Sequence, residues 1–431
     1  MNQEMIIQGG FPLKGTVRVK GAKNAGLPII AGALLLDGPV IIDELPDLLD
    51  VRTMLDVISS LGVSLKYHSV EESVTIDNRN LQPVEPDEAL MQKMRASFLV
   101  LGPLLARFGQ ARIALPGGCA IGSRPVDLHL KGLEAMGVRF AFAGGLVEGT
   151  CDRLHGADIY LDYPSVGATE NLIMAAVLAR GTTTIENAAS EPEIVDLANF
   201  LNSAGARISG AGTKRIRITG VEQLGGTRYA VIPDRIEAGT FLIAAAVTGG
   251  ELRVSNVLSD HLKPLLAKLR ETGMELEEPD FGTIGIGSNG LVKAVDLKTQ
   301  PYPGFPTDLQ PQFMVLIALA SGTGMVSETV FENRFRHISG LVRMGADIRV
   351  EGSQAVVQGV RKLSGAPVEA TDLRGAAALI LAALAAEGES RISGLEHFWR
   401  GYSAFERRLQ DLGARLSLDQ VNTGREGQAA G

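Results

Sequence analysis

The chain has 431 residues, with 41 Lys and Arg against 49 Asp and Glu and a formal net charge of −8. That balance argues against a general nucleic-acid binder, which needs a basic face. The length exceeds one ordinary core and points to two domains of similar size. Two cysteines, Cys119 and Cys151, make no disulfide framework and favour a reducing cytoplasm. Residues 1–5 lack the basic region and apolar run of a signal peptide. The apolar runs near Leu27–Leu36 and Met314–Ala320 are too short to span a bilayer.

Taken in order, the chain opens on a strand, Met5–Val19, placed to pair with the far end of the chain. A helix-ending glycine followed by an alternating strand then recurs six times. Its copies begin at Leu61-Gly62-Val63, Met136-Gly137-Val138, Ala204-Gly205-Ala206, Thr272-Gly273-Met274, Met344-Gly345-Ala346 and Leu412-Gly413-Ala414. These glycines lie 68 to 75 residues apart, and glycine is expected there because it adopts the left-handed conformation that closes a helix. Between them, a second element starts with small or polar residues and runs through an apolar helix. Its starts are Gly21-Ala22-Lys23-Asn24, Met94-Arg95-Ala96-Ser97, Ser165-Val166-Gly167, Asp234-Arg235-Ile236, Thr307-Asp308-Leu309 and Thr371-Asp372-Leu373-Arg374. Helices apolar nearly all round, such as Ala376–Ala386, are expected inside; amphipathic ones, such as Val51–Leu61 and Asp260–Thr272, outside. Each unit reads β-α-β-α-β-β, and six units divide into three and three. The boundary falls near Gly225–Tyr229, and the polar, Gly-rich tail from 422 to 431 is expected to be disordered.

The inner-helix starts carry charge where free N–H groups and the helix dipole attract anions. Lys23, Arg95, Arg124, Arg334, Arg374 and Arg400 all lie at or near element junctions. A surface arginine is usually just a solvated charge, but recurrence at equivalent junctions weakens that reading. If the repeats of one domain face those of the other, these ends converge on the interdomain cleft. The stretch from Pro116 to Leu130, rich in Gly and Pro, is a shaped loop. A lone cysteine is most often a small buried hydrophobe. Cys119, among glycines and five residues before Arg124, has instead an electropositive setting that lowers a thiol pKa. Asp308 follows a rigid Pro303–Thr307 turn; it or Thr307 is a helix cap, or Asp308 is a general base. Gly285–Gly290 fits a dinucleotide fingerprint, but Leu291–Val295 reads as a strand, so this is a hairpin turn. The histidines show no metal-ligand spacing, there is no Walker-type lysine motif, and no metal or cofactor is demanded.

Several of these segments together resemble the UDP-N-acetylglucosamine 1-carboxyvinyltransferase family of enolpyruvyl transferases. They are Gly21–Asn24, Met94–Ser97, Pro116–Gly122, Arg124–His129, Ser165–Thr169, Pro303–Asp308, Phe331–Phe335 and Arg400-Gly401-Tyr402, and the resemblance covers nearly the whole chain. It implies an α/β fold of two inside-out, barrel-like domains. Each would have three β-α-β-α-β-β repeats in pseudo-threefold arrangement, with the active site in the cleft between them. One domain is residues 22–229, with the Cys119 loop; the other is 1–21 with 230–431, which the N-terminal strand joins.

The implied reaction moves the enolpyruvyl group of phosphoenolpyruvate to the 3′-hydroxyl of UDP-N-acetylglucosamine and releases phosphate, the first committed step of peptidoglycan synthesis. On this reading Cys119 is the general acid, forms a covalent adduct with phosphoenolpyruvate, and is the target of fosfomycin. Lys23, Arg124 and Arg400 hold the phosphate and carboxylate of phosphoenolpyruvate, and Asp308 takes the hydroxyl proton. Asn24, Arg95, Arg124, Pro125, Val126, Asp127, Leu128, Tyr163, Pro164, Ser165, Val166 and Val330 match positions that bind the UDP-sugar. Arg334, Asp372 and Arg374 match further cleft residues. Tyr163 stands where some members carry lysine, Trp399 where an acidic residue often precedes the arginine, and Gly375 where a small polar residue is common. The partners implied are the two substrates alone, with no nucleic acid or membrane, and the protein would be a monomer or weak homo-oligomer. A 3-phosphoshikimate carboxyvinyltransferase lacks the cysteine loop, and a non-catalytic UDP-sugar sensor needs no acid–base pair.

Overall fold

The computed structural model describes residues 3–68, 71–83, 85–115, 126–287 and 291–420. The tail expected to be disordered and the segment 116–125, with Cys119, Arg124 and Pro125, lie outside the described residues.

All six repeat glycines have positive φ, from 89° at Gly62 to 107° at Gly205. Each ends a helix and starts a strand by adopting a conformation that other residues avoid. Among the described residues the strands form six sheets. In the first, Leu36–Asp43 runs parallel to Leu224–Ala230 and antiparallel to Ser73–Asp77, which also pairs with Ser64–His68. The same order, one parallel step and two antiparallel ones, joins Asp158–Tyr160, Thr182–Glu186, Arg215–Thr219 and Arg207–Ser209. It joins Lys14–Arg18, Glu251–Ser255, Thr283–Gly287 and Glu275–Glu277, and again Leu297–Lys298, Thr323–Ser327, Gln354–Gln358 and Asp347–Glu351. Gln110–Ala114, Leu146–Thr150 and Arg139–Ala143 show the two antiparallel steps.

The sixth sheet is completed from the other end of the chain. Gln3–Gln8 takes the third place, with Met5 opposite Ile392 on one side and Leu418 on the other. The expected opening strand is therefore real but divided. After Gly9 and Gly10 the chain begins Lys14–Arg18 in a different sheet. Among the described residues the sheets stay open, with none closed into a barrel.

Helices pack inside these sheets as the sequence pattern requires. Arg235–Thr248, Gln310–Leu319 and Leu373–Ala385 pack against one another and are buried along nearly their whole length. In the other half, a 3₁₀ turn at Arg95–Val100 links Lys23–Ala33 to Val166–Ala176. Two apolar clusters result, one within residues 22–231, the other from 5–19 and 236–414.

Two expectations need correction. Leu291–Val295 is not a regular strand: it makes one bridge, Lys293 to Ser321, before Leu297–Lys298. Lys293 N donates instead to the Thr272 carbonyl that ends a helix, while Ala294 N donates to the Ser321 carbonyl within that one bridge. The turn at 288–290 lies outside the described residues. Neither Thr307 nor Asp308 caps a helix, because both side chains are held by other partners.

Candidate active site

Inner-helix starts from both halves come together. Asp234 caps its own helix, accepting from Ile236 N at 2.7 Å and Glu237 N at 3.0 Å, and its other oxygen accepts from Lys23 N at 3.3 Å. One carboxylate thus satisfies helix ends belonging to both apolar clusters, since the Lys23 helix has no side-chain cap of its own.

Two groups of ions sit beside this junction. In the first, Asp50 is buried in the first turn of Leu49–Ser60. It accepts from Lys23 Nζ at 3.1 Å and from Arg400 Nε at 2.8 Å. Arg400 lies in a 3₁₀ turn of the second half, so this contact crosses between the halves. Burial pushes the Lys23 ammonium down; Asp50 opposes it, while Arg374 and Arg400 add to the fall. Burial also works to raise the Asp50 carboxyl, but Lys23 and Arg400 outweigh it and hold it below its ordinary value.

In the second group, Asp308 lies between two guanidiniums: Oδ1 accepts from Arg334 Nη2, and Oδ2 from Arg374 Nη2 at 2.9 Å. Burial favours the neutral acid, yet Arg374, Arg334 and more distant Lys23 keep Asp308 far below the carboxylate range. Its side chain is 25% exposed, against 2% for Arg334 and 5% for Arg374, so Asp308 is the most accessible member of the group. Arg334 Nε also donates to the Thr307 carbonyl at 3.3 Å, and Arg374 lies over the Tyr402 ring. Asp372 caps the Arg374 helix, accepting from Arg374 N and Gly375 N at 3.0 Å each. A Cβ at Gly375 would stand 2.8 Å from Asp372 Oδ2, so glycine here fits the cap, and any side chain would displace it.

The expected acceptor residues lie on several elements of both halves. Asn24 follows Lys23 and is half-buried; Val126, Asp127 and Leu128 open the helix Asp127–Ala135. That helix packs on Val166–Ala176, whose start carries Tyr163, Pro164, Ser165 and Val166, with the Ser165 hydroxyl accepting from Ala168 N. Arg95 acts on buried His129, which burial first and then this cation push down to about 3. Tyr163 is 44% exposed; burial raises its phenol, helped by Glu191 and by Glu328 of the other half. Val330 lies beside Glu328, its N–H donating to Glu328 Oε1 at 2.8 Å.

Lys23, Arg400, Asp308, Arg334, Arg374 and Asp372 are thus brought together, and Arg95, Tyr163 and Ser165 stand on adjoining elements of one half. Cys151 is a half-buried free thiol, raised by burial, in keeping with an unreactive cysteine. Sequence reasoning missed Asp50, which reads as one more charge on an amphipathic helix. The available signal was its place in a first turn opposite the Gly21–Asn24 start.

Among the described residues no cluster of His, Cys, Asp and Glu could hold a metal, and no helix is long and apolar enough to cross a membrane. Comparison with solved structures defines the class of fold. The enolpyruvyl transferase NikO from Streptomyces tendae superposes with a TM-score of 0.89 at 27% identity, over 98% of this chain and all of that one.

The family follows from sequence. The profile of EPSP synthase (3-phosphoshikimate 1-carboxyvinyltransferase) matches residues 7–409. UDP-N-acetylglucosamine 1-carboxyvinyltransferase 2 of Carboxydothermus hydrogenoformans is 55% identical over 96% of this chain and 99% of its own. UDP-N-acetylglucosamine 1-carboxyvinyltransferase 1 of Caldanaerobacter subterraneus is 51% identical, over 96% and 99%. The chain belongs to this enolpyruvyl transferase family.

Proposed function

We infer that the chain transfers the enolpyruvyl group of phosphoenolpyruvate to the 3′-hydroxyl of UDP-N-acetylglucosamine, with release of phosphate, in peptidoglycan synthesis. The observation that carries this reading is the 51–55% identity, over nearly full length, to proteins bearing that activity in their names. The gathering of cations from both halves around Asp50 and Asp308 supports an anionic donor at the junction.

Each step then has a residue. Lys23 and Arg400, with Arg124, hold the phosphate and carboxylate of phosphoenolpyruvate. Cys119 protonates the methylene carbon; its thiolate can also bond to the neighbouring carbon, in which case that C–S bond breaks, with its electrons returning to sulfur, before the hydroxyl adds. The sugar hydroxyl bonds to that same carbon as its proton passes to Asp308. The tetrahedral ketal then returns a methyl proton to the Cys119 thiolate, the C–H electrons form the vinyl double bond, and phosphate departs with the electrons of its C–O bond. Asn24, Arg95, Pro125, Val126, Asp127, Leu128, Tyr163, Pro164, Ser165, Val166 and Val330 line the acceptor side; Arg334, Asp372 and Arg374 order the cleft.

Asp308 is ionised in this arrangement, but two guanidiniums make it a weak proton acceptor. The hydroxyl becomes strongly acidic as it bonds to the cationic carbon, so an ionised carboxylate of low basicity can still take its proton. The domain division proposed is residues 22–229 against 1–21 with 230–431, following the two apolar clusters. The protein would act in the cytoplasm, as a monomer or weak homo-oligomer.

The test is phosphate release from phosphoenolpyruvate with each of two acceptors. Release with UDP-N-acetylglucosamine and none with shikimate 3-phosphate is expected. The reverse pattern would assign the chain to the shikimate reaction. Tight UDP-sugar binding without release would make it a sensor.

A further inference from the structure

One buried carboxylate near the site has no part in the reaction above. Glu328 is 3% exposed, and among the described residues no cation forms an ion pair with it. Both of its oxygens are nevertheless engaged. Oε1 accepts from the Thr299 hydroxyl at 2.8 Å, Val330 N at 2.8 Å and Phe331 N at 3.1 Å; Oε2 accepts from the Thr307 hydroxyl at 2.9 Å.

These donors come from three separate pieces of chain. Val330 and Phe331 open the loop toward Arg334. Thr299 leads into the cis Tyr302-Pro303 turn, and Thr307 immediately precedes Asp308. A second layer ties the same pieces together: Thr329 N donates to Thr299 Oγ1 at 3.0 Å, and the Thr329 hydroxyl to the Thr299 carbonyl at 2.6 Å. Arg334 Nε returns to the Thr307 carbonyl. A buried carboxylate among neutral donors is an expensive way to join loops, because apolar packing would cost less desolvation. It does supply several directed acceptors at one point, which a hydroxyl or an amide cannot. Such a joint suits a place where two backbone segments must keep a fixed separation.

We infer that Glu328 is a positioning residue, fixing through Thr307 and the Val330 amide the distance between the Asp308 carboxylate and the loop against which the acceptor sugar lies. The inference rests on the reading of Asp308 and Val330 given above. It assigns to Glu328 no contact with either substrate.

The experiment is steady-state phosphate release by the full chain with UDP-N-acetylglucosamine and phosphoenolpyruvate, for Glu328→Ala, Thr307→Val, Thr307→Ser and the Glu328→Ala/Thr307→Val double variant. Glu328→Ala is expected to lower kcat about 100-fold and raise the acceptor KM about 10-fold. The KM for phosphoenolpyruvate should stay within about 3-fold, because the Lys23–Asp50–Arg400 group is untouched. Thr307→Val should lower kcat about 10-fold alone and add nothing to Glu328→Ala, since both break one joint. Thr307→Ser keeps the hydroxyl and should restore turnover.

Wild-type kcat in Glu328→Ala, or a Thr307→Val effect equally large with and without Glu328, would overturn the inference. If Glu328→Ala does not fold, the two Thr307 variants decide the matter, and equal turnover in them overturns it. Asp308→Ala, measured alongside, separates the two levels. If Asp308→Ala is inactive while the Glu328 and Thr307 variants behave as wild type, only the positioning role fails. If Asp308→Ala turns over normally, the reading of Asp308 itself fails.

Discussion

Asp50 and Asp308 each sit between two cations, yet the two triads are built for different work. The Asp50 triad takes Lys23 and Asp50 from one half and Arg400 from the other, with Arg400 38% exposed. Its cations can turn from Asp50 to an incoming anion, and its geometry depends on how the halves meet. The Asp308 triad lies wholly within the second half, with both guanidiniums almost fully buried, so it keeps its shape whatever the other half does. On the proposed reading, the same charge count is a donor grip in one place and a preset reaction group in the other. What separates them is which halves supply the charges and how deeply the cations are buried.

The comparison can be broken in order of expected effect. Asp308→Asn removes the proposed proton acceptor while keeping its shape. Turnover should fall by about 10²–10⁴-fold, the usual worth of a general base, as read by phosphate release at saturating substrates. Asp50→Asn acts on the grip instead. It leaves Lys23 buried beside Arg400 and Arg374 without its counter-ion, and should cost roughly 2 kcal/mol in urea unfolding. That lies below the usual figure for a buried pair because Arg400 keeps contact with water. A loss of turnover as large as that of Asp308→Asn, with unchanged stability, would erase the distinction.

A further effect concerns the connector between the halves. Asp196 accepts from the Tyr229 hydroxyl and from Ile232 N, and burial, its largest influence, raises it to about 6 despite those bonds. A carboxyl raised above its unfolded value binds more protons in the folded state. Stability is thus lost as pH rises between about 4 and 6, by at most ~1.4 kcal/mol per pH unit from this group. Asp196→Asn should flatten that slope in thermal melts across the interval; an unchanged slope would place the proton elsewhere.

Much of this architecture is legible in the sequence because it rests on local rules. The six glycines at 62, 137, 205, 273, 345 and 413 all take positive φ, and the inner helices are buried all round as their composition requires. Lys23, Asp308, Arg334, Arg374 and Arg400 stand out through their place at element starts, and the structure brings them together. What the sequence hides is pairing across hundreds of residues. Nothing near Asp50 in the chain announces Arg400, and nothing near Glu328 announces Thr299 and Thr307. An acid on an amphipathic helix looks solvated until its partner is known. The segment 291–295 misled for the opposite reason: its alternation suits a strand, but the neighbouring helix end and loop claim its amides.

The division of labour is tested most directly by saturation curves for phosphoenolpyruvate, measured as phosphate release in Lys23→Met and Asp308→Asn side by side. A grip and a preset base predict different curves. Lys23→Met should shift half-saturation to about 10–100-fold higher donor concentration, the loss of one charge-assisted contact, while Asp308→Asn should lower the plateau and leave half-saturation nearly in place. Unchanged half-saturation in Lys23→Met, with both plateaus lowered alike, would contradict the account.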